Sequence, residues 1–199
     1  GVSGSFSFYP TKQITTGEGG MVITNDEKFY KKIKKLKAFG IDKDIKDRKK
    51  QGDYDVKSLG FNYRMTDFQA ALGLGQIIKY EKNLKQRHLI AKRYIKNFLN
   101  NKKISHMPYS KDCSFFIFQI FCRNRDKILK ELKSKNIGVS VHYSNALPKM
   151  TYYKNKYNLK VSKFKNADNY GGTNISLPIY PKLEMKEVDK ICKTIISLV

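Results

Sequence analysis

The sequence predicts an α/β fold from three observations. Two β-rich runs lie near the start, one long stretch has helical periodicity in its middle, and strand-like and helix-like segments alternate toward the end. In the first run, Ser5-Phe6-Ser7-Phe8-Tyr9, small polar residues alternate with aromatic ones. The second, Met21-Val22-Ile23-Thr24, is rich in β-branched side chains. Between them lies a turn. Pro10 has no N–H to give a ladder, and Gly17, Gly19 and Gly20 tolerate backbone angles that other residues resist. The arrangement places Lys12 at a strand end with little side-chain bulk around it. In a chain this rich in lysine, such a residue is by itself an ordinary surface lysine. The order of the residues around it gives it weight.

Residues 26–38 predict an amphipathic surface helix, with Phe29, Ile33 and Leu36 on one face and Asn25 or Asp26 as its cap. Residues 40–60 are polar and without period, and read as a long loop. Thr66-Asp67-Phe68-Gln69 has the pattern of a capping box. Apolar residues then recur every three or four positions to Leu99. This gives either one helix of about 50 Å or a pair broken near residues 80–83. His88 on that stripe reads as a packed helix residue. Beyond a polar turn, residues 115–122 read as a strand and 126–134 as a helix stopped by Asn136-Ile137-Gly138. Residues 139–142 read as a short strand and 184–198 as a closing helix.

The charge needs separate weighing. Forty basic residues against 17 acidic ones give a formal +23, the kind of excess that suggests a nucleic-acid partner. The lysines, however, fall on every element and are accompanied by Ile, Asn and Tyr, as a genome-wide compositional bias would produce. The aromatics do not interleave with the basic residues as a stacking platform requires. No specific nucleic-acid binding is expected. Cys113, Cys122 and Cys192 are widely spaced in apolar runs, so reduced thiols are expected and no metal site. No apolar run approaches the roughly 18 residues of a membrane span, and no membrane association is expected.

Four segments together resemble a known family. F-S-F-Y-P-T-K-Q-I-T-T-G-E-G-G-M-V-I-T-N-D at residues 6–26 is similar to the cofactor-lysine segment of the nucleotide-sugar aminotransferases of the DegT/DnrJ/StrS type. These are pyridoxal 5'-phosphate (PLP) enzymes of fold type I. Gly60-Phe61-Asn62-Tyr63-Arg64-Met65-Thr66-Asp67 resembles the family's second signature. Val141-His142-Tyr143 and Ser176-Leu177-Pro178-Ile179-Tyr180-Pro181 resemble its third and fourth, in the same order. The resemblance runs end to end and covers the C-terminal half of the family's length. It implies the end of the large-domain sheet within residues 1–75, then a connecting helix and a small α/β domain within 76–199.

The resemblance also implies roles. Lys12 would carry the cofactor through its ε-amine, and Ser7 would bind the cofactor phosphate. Asn62 would reach the cofactor phosphate of a neighbouring subunit, and Arg64 would face the sugar. His142 and Tyr143 would stand near the substrate from the partner chain. Asn62 and Arg64 lie two apart, so an extended segment points them the same way, and an amide beside a guanidinium suits phosphate or carboxylate oxygens. Either could equally serve a loop hydrogen bond. The implied protein is a cytoplasmic homodimer that moves an amino group, in most relatives from glutamate, to a keto group of a nucleotide-linked sugar for cell-surface polysaccharide. A dehydrating subfamily has histidine where Lys12 stands, so Lys12 favours amino transfer. The family's pyridinium-pairing acid and ring-stacking aromatic lie outside these residues, and the chain is expected to be an incomplete part of the enzyme. The alternative is a non-catalytic basic binding or regulatory module on the same scaffold.

Overall fold

The computed structural model describes residues 1–43 and 45–199, and the α/β expectation holds. The chain divides into two compact units, Gly1–Tyr80 and Glu81–Val199.

In the first unit, β1 (Ser3–Ser7) pairs antiparallel with β2 (Gly20–Thr24), in register from Ser3 opposite Thr24 to Ser7 opposite Gly20. The expected strand at residues 5–9 is shifted toward the N-terminus. Phe8 and Tyr9 leave the ladder because the Phe8 carbonyl accepts from the Thr16 N–H and the Thr15 hydroxyl instead. Helix α1 (Glu27–Leu36) is capped by Asp26, whose carboxylate accepts from the Phe29 N–H at 3.0 Å. Its apolar stripe of Phe29, Ile33 and Leu36 is only half-buried.

Residues 40–60 are more ordered than a featureless loop. Asp44 within this segment lies outside the described residues. Ile41 bridges Val56, the Asp42 carboxylate accepts from the Asp55 N–H, and Lys43 pairs with Asp53 at 3.1 Å. That backbone bond, ahead of Lys57 and Lys43 nearby, holds the Asp42 carboxyl below its usual range. Two glycines close the base of the excursion. A Cβ on Gly60 would sit 1.9 Å from the Gly40 nitrogen, and one on Gly40 would sit 1.8 Å from the Ser58 carbonyl oxygen. Only Gly fits this crossing, which also requires φ +71° at Gly40.

Helix α2 (Asp67–Phe98) is continuous through residues 80–83, so the single-helix alternative is the one realised. The expected capping box is present: the Thr66 N–H donates to Gln69 Oε1 at 3.0 Å, and the Gln69 N–H to Thr66 Oγ1 at 3.2 Å.

In the second unit, β3 (Ser105–His106), β4 (Phe118–Phe121) and β5 (Asn174–Leu177) form an antiparallel sheet in that spatial order. One face of it meets the C-terminal part of α2, α3 (Arg125–Ser134) and α6 (Met185–Leu198). The core joins Ile90, Tyr94 and Phe98 to Phe118, Ile120, Ile175, Leu132, Val188 and Ile195, each at most 2% exposed. Tyr94 stacks on Phe118 at 5.0 Å between ring centroids and donates its hydroxyl proton to the Pro178 carbonyl at 2.9 Å. This satisfies the polar tip of a fully buried ring. Helix α3 ends where the stop signal predicts. Asn136 takes φ +57°, and the Ile137 N–H bonds the Leu132 carbonyl at 2.9 Å in a Schellman closure. Helix α6 starts with a reciprocal capping box between Glu184 and Glu187.

Two expected strands shrink. At residues 115–122 only Phe118–Phe121 pairs, because Phe115 adopts φ +46° and gives its carbonyl to Arg87. At 139–142 only Ser140 bridges, opposite Ser176, because the following backbone is taken by side chains. Helices α4 (Thr151–Lys156) and α5 (Lys165–Thr173), with β3 and β5, were not expected from the sequence. His88 is a packed helix residue: its ring lies edge-on to Phe115, and its Nδ1 is 3.2 Å from the Tyr109 hydroxyl. The three cysteines are free thiols, and burial pushes those of Cys122 and Cys192 up, the latter to about 11.

Candidate active site

The first unit places Lys12 in a β-turn. The Lys12 N–H donates to the Tyr9 carbonyl at 2.9 Å, with Pro10 at the position whose fixed φ favours such turns. The turn belongs to a loop closed at its neck, where the Phe8 N–H bonds the Gly19 carbonyl at 2.9 Å. Thr16, 4% exposed, is its internal pin and donates its hydroxyl to the Glu18 carbonyl at 2.8 Å. A Cβ on Gly19 would come within 2.5 Å of that hydroxyl. Helix α2 holds the loop from outside. Gln69 Nε2 donates to the Glu18 carbonyl at 2.8 Å, and Gly73 lets the helix approach Thr16 closely. Lys12 is half-buried and Ser7 is exposed. The Ser7 oxygen accepts weakly from the Tyr9 N–H at 3.4 Å, which leaves the hydroxyl proton to donate elsewhere.

Asn62 and Arg64 lie in the same unit, on an extended segment that runs along the end of α1. The Phe61 N–H bonds the Leu36 carbonyl, the Tyr63 N–H bonds the Lys37 carbonyl, and Asn62 bridges Ala38. The alternation expected from spacing is visible in the rings, since Phe61 and Tyr63 stack together at 5.1 Å. Asn62 and Arg64 are both exposed, and the Arg64 guanidinium lies over the Phe39 ring at 5.2 Å. Arg64 also lines an open cavity of about 750 Å³. Six lysines (Lys31, Lys34, Lys35, Lys37, Lys43, Lys46) and Arg48 share that lining, against Asp42 and Asp47. Such a cavity favours an anionic ligand.

His142 and Tyr143 belong to the second unit. His142 is half-buried with Nδ1 2.8 Å from the Ser176 hydroxyl, and Tyr143 stands 71% exposed beside it. Sequence reasoning did not pick out the residues that hold this pair. They are Gln119, Tyr170, Asn174 and Ser176, and the signal available was a lone Gln inside the apolar run Phe115–Phe121 and an Asn-Ile-Ser at a buried strand. No cluster of His, Cys, Asp or Glu suited to a metal ion occurs among the described residues. No helix among them is long and apolar enough to cross a membrane.

The donor set of the first unit fits a phosphorylated aldehyde cofactor. It offers an amine in a small-residue turn, a serine hydroxyl on the same hairpin, and an exposed amide on a separate segment. The chain belongs to the DegT/DnrJ/EryC1/StrS aminotransferase family, whose model matches residues 1–196.

Among its relatives, the UDP-4-amino-4,6-dideoxy-N-acetyl-beta-L-altrosamine transaminase of Campylobacter jejuni is 34% identical over 200 residues, covering 97% of this chain and 51% of that protein. The GDP-perosamine synthase of Escherichia coli O157:H7 is 34% identical over 197 residues, covering 96% of this chain and 50% of that protein. Among solved structures, Helicobacter pylori PseC, an aminotransferase involved in the biosynthesis of pseudoaminic acid, superposes with a TM-score of 0.89 at 29% identity, over 98% of this chain and 53% of that one. The Streptococcus pneumoniae protein Spr1654 in its PMP form gives 0.89 at 30% identity, over 99% and 53%. The chain spans about half the length of the curated relatives it matches, as the C-terminal half of the fold would.

Proposed function

We infer that the protein containing this chain is a PLP-dependent aminotransferase acting on a keto group of a nucleotide-linked sugar. The observation that carries the reading is Lys12, an amine set in a hydrogen-bonded turn on a hairpin that lies within the residues matched by the family model. When bound, PLP supplies an electron sink for the charge left when a proton leaves the carbon next to nitrogen. Lys12 holds the cofactor through its ε-amine between turnovers. Once displaced by the amino donor, for which glutamate is the proposed compound, the same amine takes the proton from the donor Cα. In the second half-reaction it delivers a proton to the sugar carbon that receives nitrogen. One group serves both directions because the turn keeps it in place while the partners change.

Ser7 donates its hydroxyl to the cofactor phosphate, and Asn62 contributes an amide from the neighbouring subunit of a homodimer. Arg64, like Asn62, acts in the site of the neighbouring subunit, where it attracts the anionic substrate, a role supported by the cationic cavity it lines. His142 and Tyr143 face the sugar from the partner chain. The product enters cell-surface polysaccharide synthesis in the cytoplasm.

Borohydride reduction of the cofactor-loaded full-length protein, followed by peptide mapping, should find the cofactor fixed on Lys12. A Lys12→Ala protein that is still labelled, or still transaminates, overturns the reading. Mixing inactive Lys12→Ala and Arg64→Ala proteins should restore part of the activity through hybrid dimers. No restoration despite demonstrated subunit exchange overturns the shared site.

A further inference from the structure

The fourth sequence signature, around Ser176, has no part in the mechanism so far, and its surroundings are unusual for a strand core. Side chains alternate across β4 and β5. Phe118 and Ile120 with Ile175 and Leu177 face the apolar core, while Gln119 with Asn174 and Ser176 turn to the other side. Those three polar residues are 3%, 0% and 5% exposed. Buried polar groups are costly unless hydrogen-bonded, so where their bonds go shows what they hold.

Nearly all of them go to the segment bearing His142 and to the end of α5. Gln119 Nε2 donates to the His142 carbonyl at 3.0 Å, and Gln119 Oε1 accepts from the Tyr170 hydroxyl at 2.5 Å. Asn174 Oδ1 accepts from the His142 N–H at 3.0 Å. Asn174 Nδ2 donates to the carbonyls of Tyr170 at 2.7 Å and Tyr143 at 3.3 Å. Ser176 exchanges both backbone bonds with Ser140, and its hydroxyl meets His142 Nδ1 at 2.8 Å. Gly171 packs against the same loop, where a Cβ would come 2.6 Å from the Ser144 carbonyl oxygen. The backbone of His142 is thus fixed at both its N–H and its carbonyl, and its ring at one nitrogen.

The geometry points to Ser176, backed by Asn174 and Gln119, as a positioning residue that occupies His142 Nδ1 and so presents Nε2 as the ring nitrogen available to substrate. This rests on the reading of His142 as substrate-facing. A ring nitrogen bonded to a buried hydroxyl keeps its direction through the cycle, and whichever role that nitrogen takes toward the hydroxyl sets what the other nitrogen offers. The amination of the sugar, which His142 faces, should depend on Ser176. The donor half-reaction, driven by Lys12, should not.

The test uses the cofactor-loaded full-length protein and its Ser176→Ala, Ser176→Thr and His142→Gln variants. Each half-reaction is followed in single turnover, and the His142 ring nitrogens are observed by ¹⁵N NMR. Ser176→Ala should lower kcat/KM for the sugar roughly five- to tenfold, the weight of one hydrogen bond. It should leave the donor half-reaction within about twofold and change the Nδ1 signal, and Ser176→Thr should recover the rate. If the alanine variant fails to fold, Ser176→Cys, of similar size with a weak donor, takes its place. An unchanged ¹⁵N signature overturns the inference. So does equal loss in both half-reactions without recovery by threonine, the mark of a purely structural role. His142→Gln slowed while Ser176→Ala is not sinks the inference and leaves the reading standing. His142→Gln equal to wild type sinks the reading itself, and the inference with it.

Discussion

Within the described residues, the two units differ in how much apolar surface they bury. Every buried apolar side chain among the described residues lies at Ile90 or beyond, in the second unit. Among the described residues of the first unit only Thr16, Gly40 and Gly73 are buried, and large apolar side chains stand open: Phe68 is 82% exposed and Ile78 83%. The second unit is therefore shaped by area removed from water. The first is shaped by turns, caps and a glycine crossing, all of them backbone hydrogen-bonding devices. Lys12, Asn62 and Arg64 sit in the unit whose apolar side chains stand open within the described residues. Backbone hydrogen bonds hold the segments that carry these groups, whereas in the second unit a packed sheet fixes the loop of His142.

The largest expected effect probes that contrast directly. Phe118→Ala in the second unit should cost about 3–5 kcal/mol in urea unfolding, because a fully buried ring is replaced by a cavity. In this 199-residue chain by itself, Val22→Ala on the exposed β2 should change stability by less than about 0.5 kcal/mol. Comparable costs at the two sites would erase the distinction. Next in size, Gly60→Ala should cost roughly 2–4 kcal/mol, since the new Cβ meets backbone that cannot move aside. Hydrogen exchange should quicken at the Phe61 and Tyr63 amides and stay unchanged in β4 and β5.

Smaller effects follow. Thr66→Ala should remove about 1 kcal/mol through loss of the capping box. In the second unit, Asp189 accepts from Arg93 Nε at 2.7 Å, Nη2 at 2.5 Å and Asn97 at 2.8 Å, and the Arg93 bond chiefly holds its carboxyl down to about 2. A lowered carboxyl pKa stabilises the fold above the unfolded value near 3.8 and loses that effect as pH falls toward 2. Solvent reaches both partners, so the contribution is of order 1 kcal/mol. Asp189→Asn should flatten the pH dependence of urea midpoints between about pH 4 and pH 2, and an unaltered slope would contradict the assignment.

Features determined by local sequence were legible. Asp26, Thr66 with Gln69, and Asn136 each mark a helix end through bonds made within three to five residues. The hairpin around Lys12 was likewise signalled by Pro10 and the glycines that follow. What escaped depends on distant chain. Gly40 and Gly60 looked like ordinary loop glycines, because only the crossing of their two backbones gives them a task. Asn174 drew no reading from the sequence, and Ser176 stood out only within the fourth resembling segment, because their task appears when the sheet sets them beneath His142, 32 and 34 residues away in sequence. Helices α4 and α5 were hidden by Lys, Asn and Tyr, which give no apolar stripe to read.

The crossing of Gly40 and Gly60 has a consequence for how such a protein can vary. The excursion between them begins and ends at one point, fastened by main-chain atoms and by the absence of two side chains. Its length and charge can change without moving that point, since loop closure cost grows only slowly with length. Asn62 and Arg64 lie immediately beyond it. A lineage can therefore rewrite this excursion, residue by residue or by insertion, and each new version will be offered to ligands from the same foothold.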